Sequence, residues 1–511
     1  MTIVPVEMHG RKEVKEAMNK ELDLLVRFQV YDEVKTEDAK DGEIVSSVWV
    51  VTEKDVKEQR ITKARLCARG YEETSDFRRD SPTASKVGLR ILFSMAANEG
   101  WTVEGLDAKS AFLQGDSIDR VVYVKPPNEF QSKLGGGTVW RLRKCLYGLG
   151  DAPRGWYLRV HQELTKLGCE RMTLDPAMYV LRIDGALAGI LAVHVDDFLY
   201  GGNKEFHRLV IRTLKRVFVV GEVERKDFYY VGWQVKQTSE EEIVISQEAF
   251  VKHVEDFETE ELRGRNKAEE VDDNLQSLFR GAVGSVNWLS CNTRPDLACE
   301  VMELSTKFGK ATVSDMRSAS RLIQKAKEQK LSVRFPKLGP VGNLVVLVYG
   351  DGAFASLPDG VSSCGGKLVF VVGDDGRCAP ISWGSNKMTR TVRSPLAAEA
   401  VAMMDAVDEG FFVRALMEEV LGRLTGGINM AVVTDSKSLE EAVKGTGQIK
   451  DKRCAVDVAA LRQGVDRGEY FVCWQAGAEQ LADPLTKTRA DKAGLREVIQ
   501  SGQCGIVFNR K

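Results

Sequence analysis

Apolar residues recur at spacings of three and four between residues 11 and 28 (Val14, Met18, Leu22, Leu25), which predicts an amphipathic helix. The same period returns at 86–99 through Val87, Ile91 and Met95. Short β-rich runs, VSSVWVVTE and TKARLCARG, lie between the two helices, and the stretch from Trp101 to Leu106 reads as a strand ending at Asp107. Two apolar runs, ALAGILAVHV and FLY, flank Asp196 and Asp197, which suggests a hairpin. Residues 275–335 are mostly helical in pattern, as in LQSLFRGAVGSVNWLS and DMRSASRLIQKAKEQK. The Pro- and Gly-rich segment FPKLGPVGN at 335–343 then marks a linker or domain edge. Beyond it the order is three strands (NLVVLVYG, GGKLVFVV, APISWGS), a long helix from Pro395 and a strand (INMAVVTD). A short helix, a helix (CAVDVAALRQGV), a strand (EYFVCW) and a last helix (EQLADPLTK) complete it. That succession predicts a mixed sheet with helices packed on it.

The chain has 511 residues, enough for roughly three domains. With 72 basic and 74 acidic residues the formal charge is −2, and 43% of residues are hydrophobic. Such a composition excludes wholesale disorder, collagen-like repeats and a coiled-coil rod. No apolar run approaches the ~18 residues that span a bilayer, and the N-terminus has no apolar signal core. The 10 cysteines are scattered with no C-x-x-C pair, so neither a zinc module nor a disulfide framework is indicated, and a reducing intracellular setting is expected. A near-zero net charge does not exclude a nucleic-acid partner. The stretch ITKARLCARG carries Lys63, Arg65 and Arg69 without an acid. The stretch from Val139 to His161 carries Arg141, Arg143, Lys144, Arg154 and Arg159 against Asp151 alone. Each run is equally a solvated face, so neither decides anything by itself.

The informative residues are acids placed where a core would prefer apolar groups. Asp196 and Asp197 repel one another between apolar flanks, a cost that a divalent cation removes and that an exposed turn would also avoid. Asp107 at a strand end is by itself a turn former; it gains meaning only with that pair, because two-metal phosphoryl transfer needs carboxylates from separate strand ends. In the C-terminal part Asp351 ends a strand and precedes Gly352. Glu399 lies three after Leu396 and four before Met403 on a helix whose stripe includes Ala400, Val407 and Phe411, so it points near the sheet. An unpaired Glu there calls for a metal or a proton. Asp435 follows a strand, and Asp483 stands next to Pro484. Either serves equally as a helix N-cap.

Taken together, the chain resembles the reverse transcriptase–ribonuclease H region of copia-type LTR retrotransposon Pol polyproteins. The resemblance runs from about residue 11 to 488 through collinear motifs. They are KARLCARGYEE (63–73), LDAKSAFLQG (106–115), VYVKPPNEF (122–130), LYGLGDAPRGWY (146–157), VHVDDFLYGG (193–202), YYVGWQV (229–235), VGSVNWLSCNTRPDLA (283–298), YGDGAF (349–354), SPLAAEAVAM (394–403), VVTDSKS (432–438) and AEQLADPLTK (478–487). It implies an α+β and α/β protein: a right-hand polymerase of fingers, palm and thumb, followed by a ribonuclease H-like mixed-sheet domain. The expected division is fingers and palm over 1–235, thumb and connection over 236–340, ribonuclease H over 341–490 and a tail over 491–511.

Matched position by position, the resemblance makes Asp107, Asp196 and Asp197 the palm acids, and Asp351, Glu399, Asp435 and Asp483 the ribonuclease acids. Each set is implied to be catalytic and to hold two Mg²⁺ or Mn²⁺ ions. Lys63 and Arg65 fall on the fingers segment that contacts the incoming triphosphate. Phe112 falls where an aromatic abuts the sugar C2′ and excludes ribonucleotides, Tyr147 and Gly148 under the nascent pair, and Tyr230, Val231 and Gly232 on the primer grip. The implied function is RNA-directed DNA synthesis with cleavage of RNA–DNA hybrids in LTR retrotransposon replication. Its implied partners are an RNA template, a DNA primer, the hybrid and deoxynucleoside triphosphates, with no membrane. The implied setting is the cytoplasm, retrotransposon particles included, with access to the nucleus.

Three departures bear on that expectation. His194 stands where the family has Tyr, Gly150-Asp151 stand where it has Lys-Gln, and all 5 histidines lie at or before His253, so the ribonuclease part has none. Asp151 puts an anion where phosphates are expected. With no protease, capsid or integrase segment ahead of the polymerase motifs, the chain reads as a processed product, a truncated copy or an isolated gene model. The competing expectation is a catalytically impaired relic that binds nucleic acid without turnover. A third is that the ribonuclease alone survives.

Overall fold

Val14, Ala17, Met18, Glu21 and Leu25 are the buried positions of α1 (Lys12–Arg27), one stripe that packs on a long hairpin of β1 (Ser47–Val56) and β2 (Gln59–Ala68). The computed structural model describes residues 2–56, 59–257, 262–422 and 427–506. Helix α2 (Lys86–Glu99) starts where the Ser85 hydroxyl accepts the Gly88 N–H at 2.9 Å and stops at Gly100, whose φ is +69°. It is buried on nearly every side because it is wedged among three sheets.

Next come β3 (Val103–Ala108), α3 (Ala152–Lys166), β4 (Met178–Ile183), β5 (Ala186–His194), β6 (Asp197–Gly202) and β7 (Val220–Arg225). Their strands form an antiparallel sheet in the order β7-β3-β6-β5-β4, extended by Glu170–Arg171. Alternation sorts the two faces. Leu106, Val193 and Phe198 pack with Trp156 and Val160 of α3, whereas Val103, Ala192 and Leu199 join the core around α2.

A second antiparallel sheet is built from β8 (Asp227–Tyr230), β9 (Trp233–Ser239), β10 (Glu242–Ser246) and, after three helices, β11 (Val333–Pro336). The helices are α4 (Asp273–Asn292), α5 (Ala298–Ser305) and α6 (Val313–Glu328). They close on their own core of Phe279, Val283, Met316 and Ile323.

The C-terminal part holds β12 (Val345–Ala353), β13 (Cys364–Val372), β14 (Cys378–Lys387), α7 (Pro395–Leu421), β15 (Asn429–Thr434), α8 (Lys437–Lys444), α9 (Lys452–Asp466) and β16 (Phe471–Trp474). The sheet order is β14-β13-β12-β15-β16, with β14, β13 and β12 antiparallel and β15 and β16 parallel to β12. This is the mixed α/β architecture that the motifs imply.

Two local expectations need correction. The strand carrying Asp351 does not end at Gly350 but runs on to Ala353. The helix expected over 479–487 is instead two single 3₁₀ turns, Gly477–Glu479 and Asp483–Leu485, because Pro484 has no N–H to continue a helix and fixes its own φ. The residues expected as a tail include a helix, α10 (Ala493–Ser501), that docks on β11 and β14.

The apolar core runs unbroken from Ile91 and Phe93 through Phe335 to Val346 and Leu368. Fully buried Arg90 crosses it. It donates to the carbonyls of Cys291 (2.7 Å), Asn292 (3.0 Å) and Ile381 (3.1 Å) and lies 3.6 Å over the Trp383 ring. The two halves of the chain therefore share a buried cation as well as apolar surface.

Candidate functional site

The register of the sheet β7-β3-β6-β5-β4 sets Asp107, Asp196 and Asp197, the acids expected at the palm. Asp197 pairs across with Asp107 on one side and with His194 on the other, so those three side chains share a face. Val195 and Asp196 form the two-residue turn between β5 and β6, and Val195 has φ +57°. A β-branched residue is strained there, and the buried Trp156 indole holds the turn by donating to the Val195 carbonyl at 2.7 Å. The Ala108 N–H donates to the Asp196 carbonyl at 2.8 Å, which ties the turn to the strand carrying Asp107.

Asp107 and Asp196 line a cleft of roughly 750 Å³ with Lys63, Arg65, Phe112 and Tyr147. Lys63 and Arg65 sit two apart on β2, so both project from one face of the strand. Partial burial and the Asp196 charge push the Asp107 carboxyl up, while Lys63, Lys109 and Arg65 pull it down. Burial, then Asp196, Asp107 and Glu224, pushes Asp197 up to about 6.

Tyr147 lies 5.5 Å from the Phe112 ring and 5.9 Å from the Arg65 guanidinium, and burial pushes its hydroxyl up to about 12. Gly148 has φ +89°, and a β-carbon there would stand 2.1 Å from the Ala68 carbonyl oxygen. Only glycine lets this segment close on β2.

The hairpin of β8 and β9 turns at Val231 (φ +45°) and Gly232 (φ +78°). Tyr230 does not reach that tip. Its side chain is buried, with the hydroxyl 3.5 Å from the Asp197 carbonyl oxygen. It ties the hairpin to the palm turn, and Val231 and Gly232 alone are presented at the end.

Asp151 does not project its charge freely. Arg120 grips both its oxygens at 2.9 Å and also pairs with Glu73, while its guanidinium lies 4.1 Å over the Phe77 ring. The anion expected to repel phosphates is thus tied to a guanidinium that it shares with Glu73, on a residue that sequence reasoning passed over. The pairing spans 31 positions and has no local signal.

In the C-terminal sheet, parallel pairing of Tyr349 with Val433 puts Asp351 and Asp435, each two residues on, side by side where β15 ends and β12 runs on. Asp435 is not a helix cap, because Ser436 takes that role by accepting the Leu439 N–H. Nor is Asp483 a cap. It is the first residue of its 3₁₀ turn and accepts from Lys487 at 2.7 Å.

Carboxylate oxygens of Asp351, Asp435 and Asp483 all lie within 4.8 Å of one another. Among the described residues no other three ligating side chains converge so closely; the palm acids share an edge without closing to that distance. Glu399, in the first turns of α7, accepts the Gly352 N–H at 3.2 Å. A β-carbon at Gly352 would stand 2.5 Å from the Ala398 carbonyl, so glycine is what lets the strand approach the helix that carries Glu399.

Fully buried Asp351 has one oxygen engaged by the Thr486 hydroxyl and the other without a hydrogen-bond partner. Burial pushes its carboxyl up to about 6 against the pull of Lys487 and Thr486. Burial, then Asp351 and Asp435, pushes Glu399 up to about 9. An orphaned buried oxygen facing two further carboxylates fits a hard divalent cation.

Residues 28–267 match the family model described as reverse transcriptase (RNA-dependent DNA polymerase). The chain is 28% identical over 463 residues to the retrovirus-related Pol polyprotein from transposon RE1 of Arabidopsis thaliana, covering 87% of this chain and 31% of that one. It is 25% identical over 507 residues to the Pol polyprotein from transposon TNT 1-94 of Nicotiana tabacum, covering 93% of this chain and 37% of that one. It thus spans about a third of the length of the curated relatives it matches. A foamy viral protease-reverse transcriptase solved with double-stranded DNA shares the fold at a TM-score of 0.53 and 12% identity, over 91% of this chain and 70% of that one.

Proposed function

We propose that this chain, whose residues 28–267 match the reverse transcriptase family model and whose relatives over nearly its whole length are transposon Pol polyproteins, is an RNA-directed DNA polymerase joined to a ribonuclease H. The observation that carries the reading is the sorting of acids from distant positions into two clusters, one at the palm hairpin and one at the edge of the mixed sheet. The first cluster opens on the cleft lined by Lys63, Arg65, Phe112 and Tyr147.

In the palm, Asp107, Asp196 and Asp197 hold the ion site while Lys63 and Arg65 bind the triphosphate of an incoming deoxynucleotide. Phe112, propped on Tyr147, stands against C2′ of its sugar. Tyr147 and Gly148 form the floor under the nascent pair, and Val231 and Gly232 face the primer. In the C-terminal sheet Asp351, Asp435 and Asp483 hold the ion site, and Glu399 keeps a proton until ions load. Mg²⁺ or Mn²⁺, two per site, would neutralise the attacking and leaving oxygens of an in-line displacement. Contacts of Lys63, Arg65 and their neighbours with phosphates make binding strongly salt-dependent and largely blind to sequence.

The relic reading rests on Gly150, Asp151 and His194 together with the lack of upstream domain motifs. Asp151 is paired with Arg120, which it shares with Glu73, so its charge is partly met within the protein, and His194 shares the face of Asp107 and Asp197. Primer extension on a homopolymeric RNA template and cleavage of a labelled RNA–DNA hybrid, both with Mg²⁺ and with Mn²⁺, test the reading. Both activities are expected; metal-independent binding without either would favour the relic.

Two further outcomes follow from individual side chains. Phe112→Ala should lower discrimination against ribonucleotides by about 10–100-fold, because only sterics reject the added hydroxyl. The ratio of kcat/KM for dCTP and CTP measures it, and an unchanged ratio removes the steric role. The second concerns Glu399. The ion-free fold keeps the Glu399 proton up to about 9, whereas an unfolded chain loses it near 4.5. The fold therefore binds more protons than the unfolded chain across that window, and its ion-free stability falls as pH rises through it. Ion loading needs the charged carboxylate, so Mg²⁺ binding at pH 8 should release about one proton from this site. Calorimetric titration in buffers of different ionisation enthalpy counts that proton, and Glu399→Gln should abolish its release.

A further inference from the structure

Lys487 stands inside the carboxylate cluster of the mixed sheet. Its ammonium lies 2.7 Å from Asp483 Oδ1 and 3.7 Å from Asp351 Oδ1, the same buried oxygen that has no hydrogen-bond partner. The spacing of four from Asp483 allows the reach, since the intervening 3₁₀ turn folds Lys487 back over the acid that opens it. Next to it, the Thr486 hydroxyl donates to the other oxygen of Asp351 and fixes that carboxylate in place. Lys487 itself is 44% exposed, on a long flexible stem, so it can leave. No histidine occurs after His253, so the ammonium beside these acids is the movable cation this segment supplies.

Resting on the reading of these acids as an ion site, we infer that Lys487 is an internal counter-ion: it occupies the cluster between loadings and competes with divalent cations for Asp351 and Asp483. Three carboxylates crowded within 4.8 Å repel one another unless a positive charge stands among them. The ammonium supplies one such charge at the cost of two ligand oxygens. The apparent affinity for the ion is then the intrinsic affinity scaled by the fraction of time Lys487 is away. A residue that merely held the acids in shape would act in the opposite sense, and its removal would weaken ion binding.

The test is a Mn²⁺ titration of the full chain, followed by the electron paramagnetic resonance of free Mn²⁺. It is made in an Asp196→Asn background so that the palm contributes less. Lys487→Met is expected to tighten the Mn²⁺ site by about tenfold, if the ammonium is engaged about nine-tenths of the time. Lys487→Arg, which keeps the charge, is expected to stay near the parent. The melting temperature of the ion-free Lys487→Met protein should fall, and its rise on adding Mn²⁺ should exceed that of the parent. Lys487→Gln, a polar replacement, should repeat the tightening. Unchanged or weaker Mn²⁺ binding in both neutral variants overturns the counter-ion role alone. Parent binding that Asp435→Asn fails to reduce overturns the ion-site reading beneath it.

Discussion

Asp196→Asn is expected to abolish primer extension, by roughly 10³-fold or more, while hybrid cleavage continues at the parental rate. Asp196 sits at the tip of a two-residue turn and lines the cleft, so its carboxylate is placed to bind an ion rather than to hold the fold. The turn is held by its backbone, through Trp156 on the Val195 carbonyl and Ala108 on the Asp196 carbonyl, and these bonds survive the substitution. Stability should therefore change by no more than about 0.5 kcal/mol. Loss of both activities would mean that the two clusters do not act separately.

Glu399→Gln is expected to do the reverse. Hybrid cleavage should fall by roughly 10²–10³-fold, and primer extension should stay intact. The amide keeps the shape and can still accept the Gly352 N–H, but it cannot take the charged form that ion loading needs. It also removes a group that burial, Asp351 and Asp435 oppose charging. The ion-free variant should then resist alkaline unfolding better than the parent, because the share of the decline in stability that comes from Glu399 disappears. A variant that loses cleavage and gains alkaline stability separates a loading role from a structural one.

Much of the architecture was legible because its signals are local. The helices from Lys12 and Lys86 follow from apolar spacing, and the second also from a serine cap and a terminal glycine. The strands around Asp196 and Asp197 and the mixed sheet after Gly342 follow from short apolar runs in order. The same local logic misjudged the end of the chain. LADPLTK carries apolar residues at helical spacing, yet Pro484 breaks it into a turn, and it is that turn which brings Asp483 and Lys487 to Asp351. Long-range pairs left no trace. Arg120 pairs with Asp151 across 31 positions, and Arg90 meets Ile381 across 291. Tyr230 belongs to a motif that suggests contact with the primer, but burial turns its ring inward beneath Asp197. Composition and period report which residues are buried; partners are decided by folding.

The most direct test of two separate ion-binding carboxylate clusters is a crystal of the full chain grown with Mn²⁺ and measured at the manganese absorption edge. Anomalous peaks are expected beside Asp107, Asp196 and Asp197, and again among Asp351, Glu399, Asp435 and Asp483, with Lys487 swung out of the second group. Anomalous density at neither group, or only at unrelated surface acids, would contradict the account.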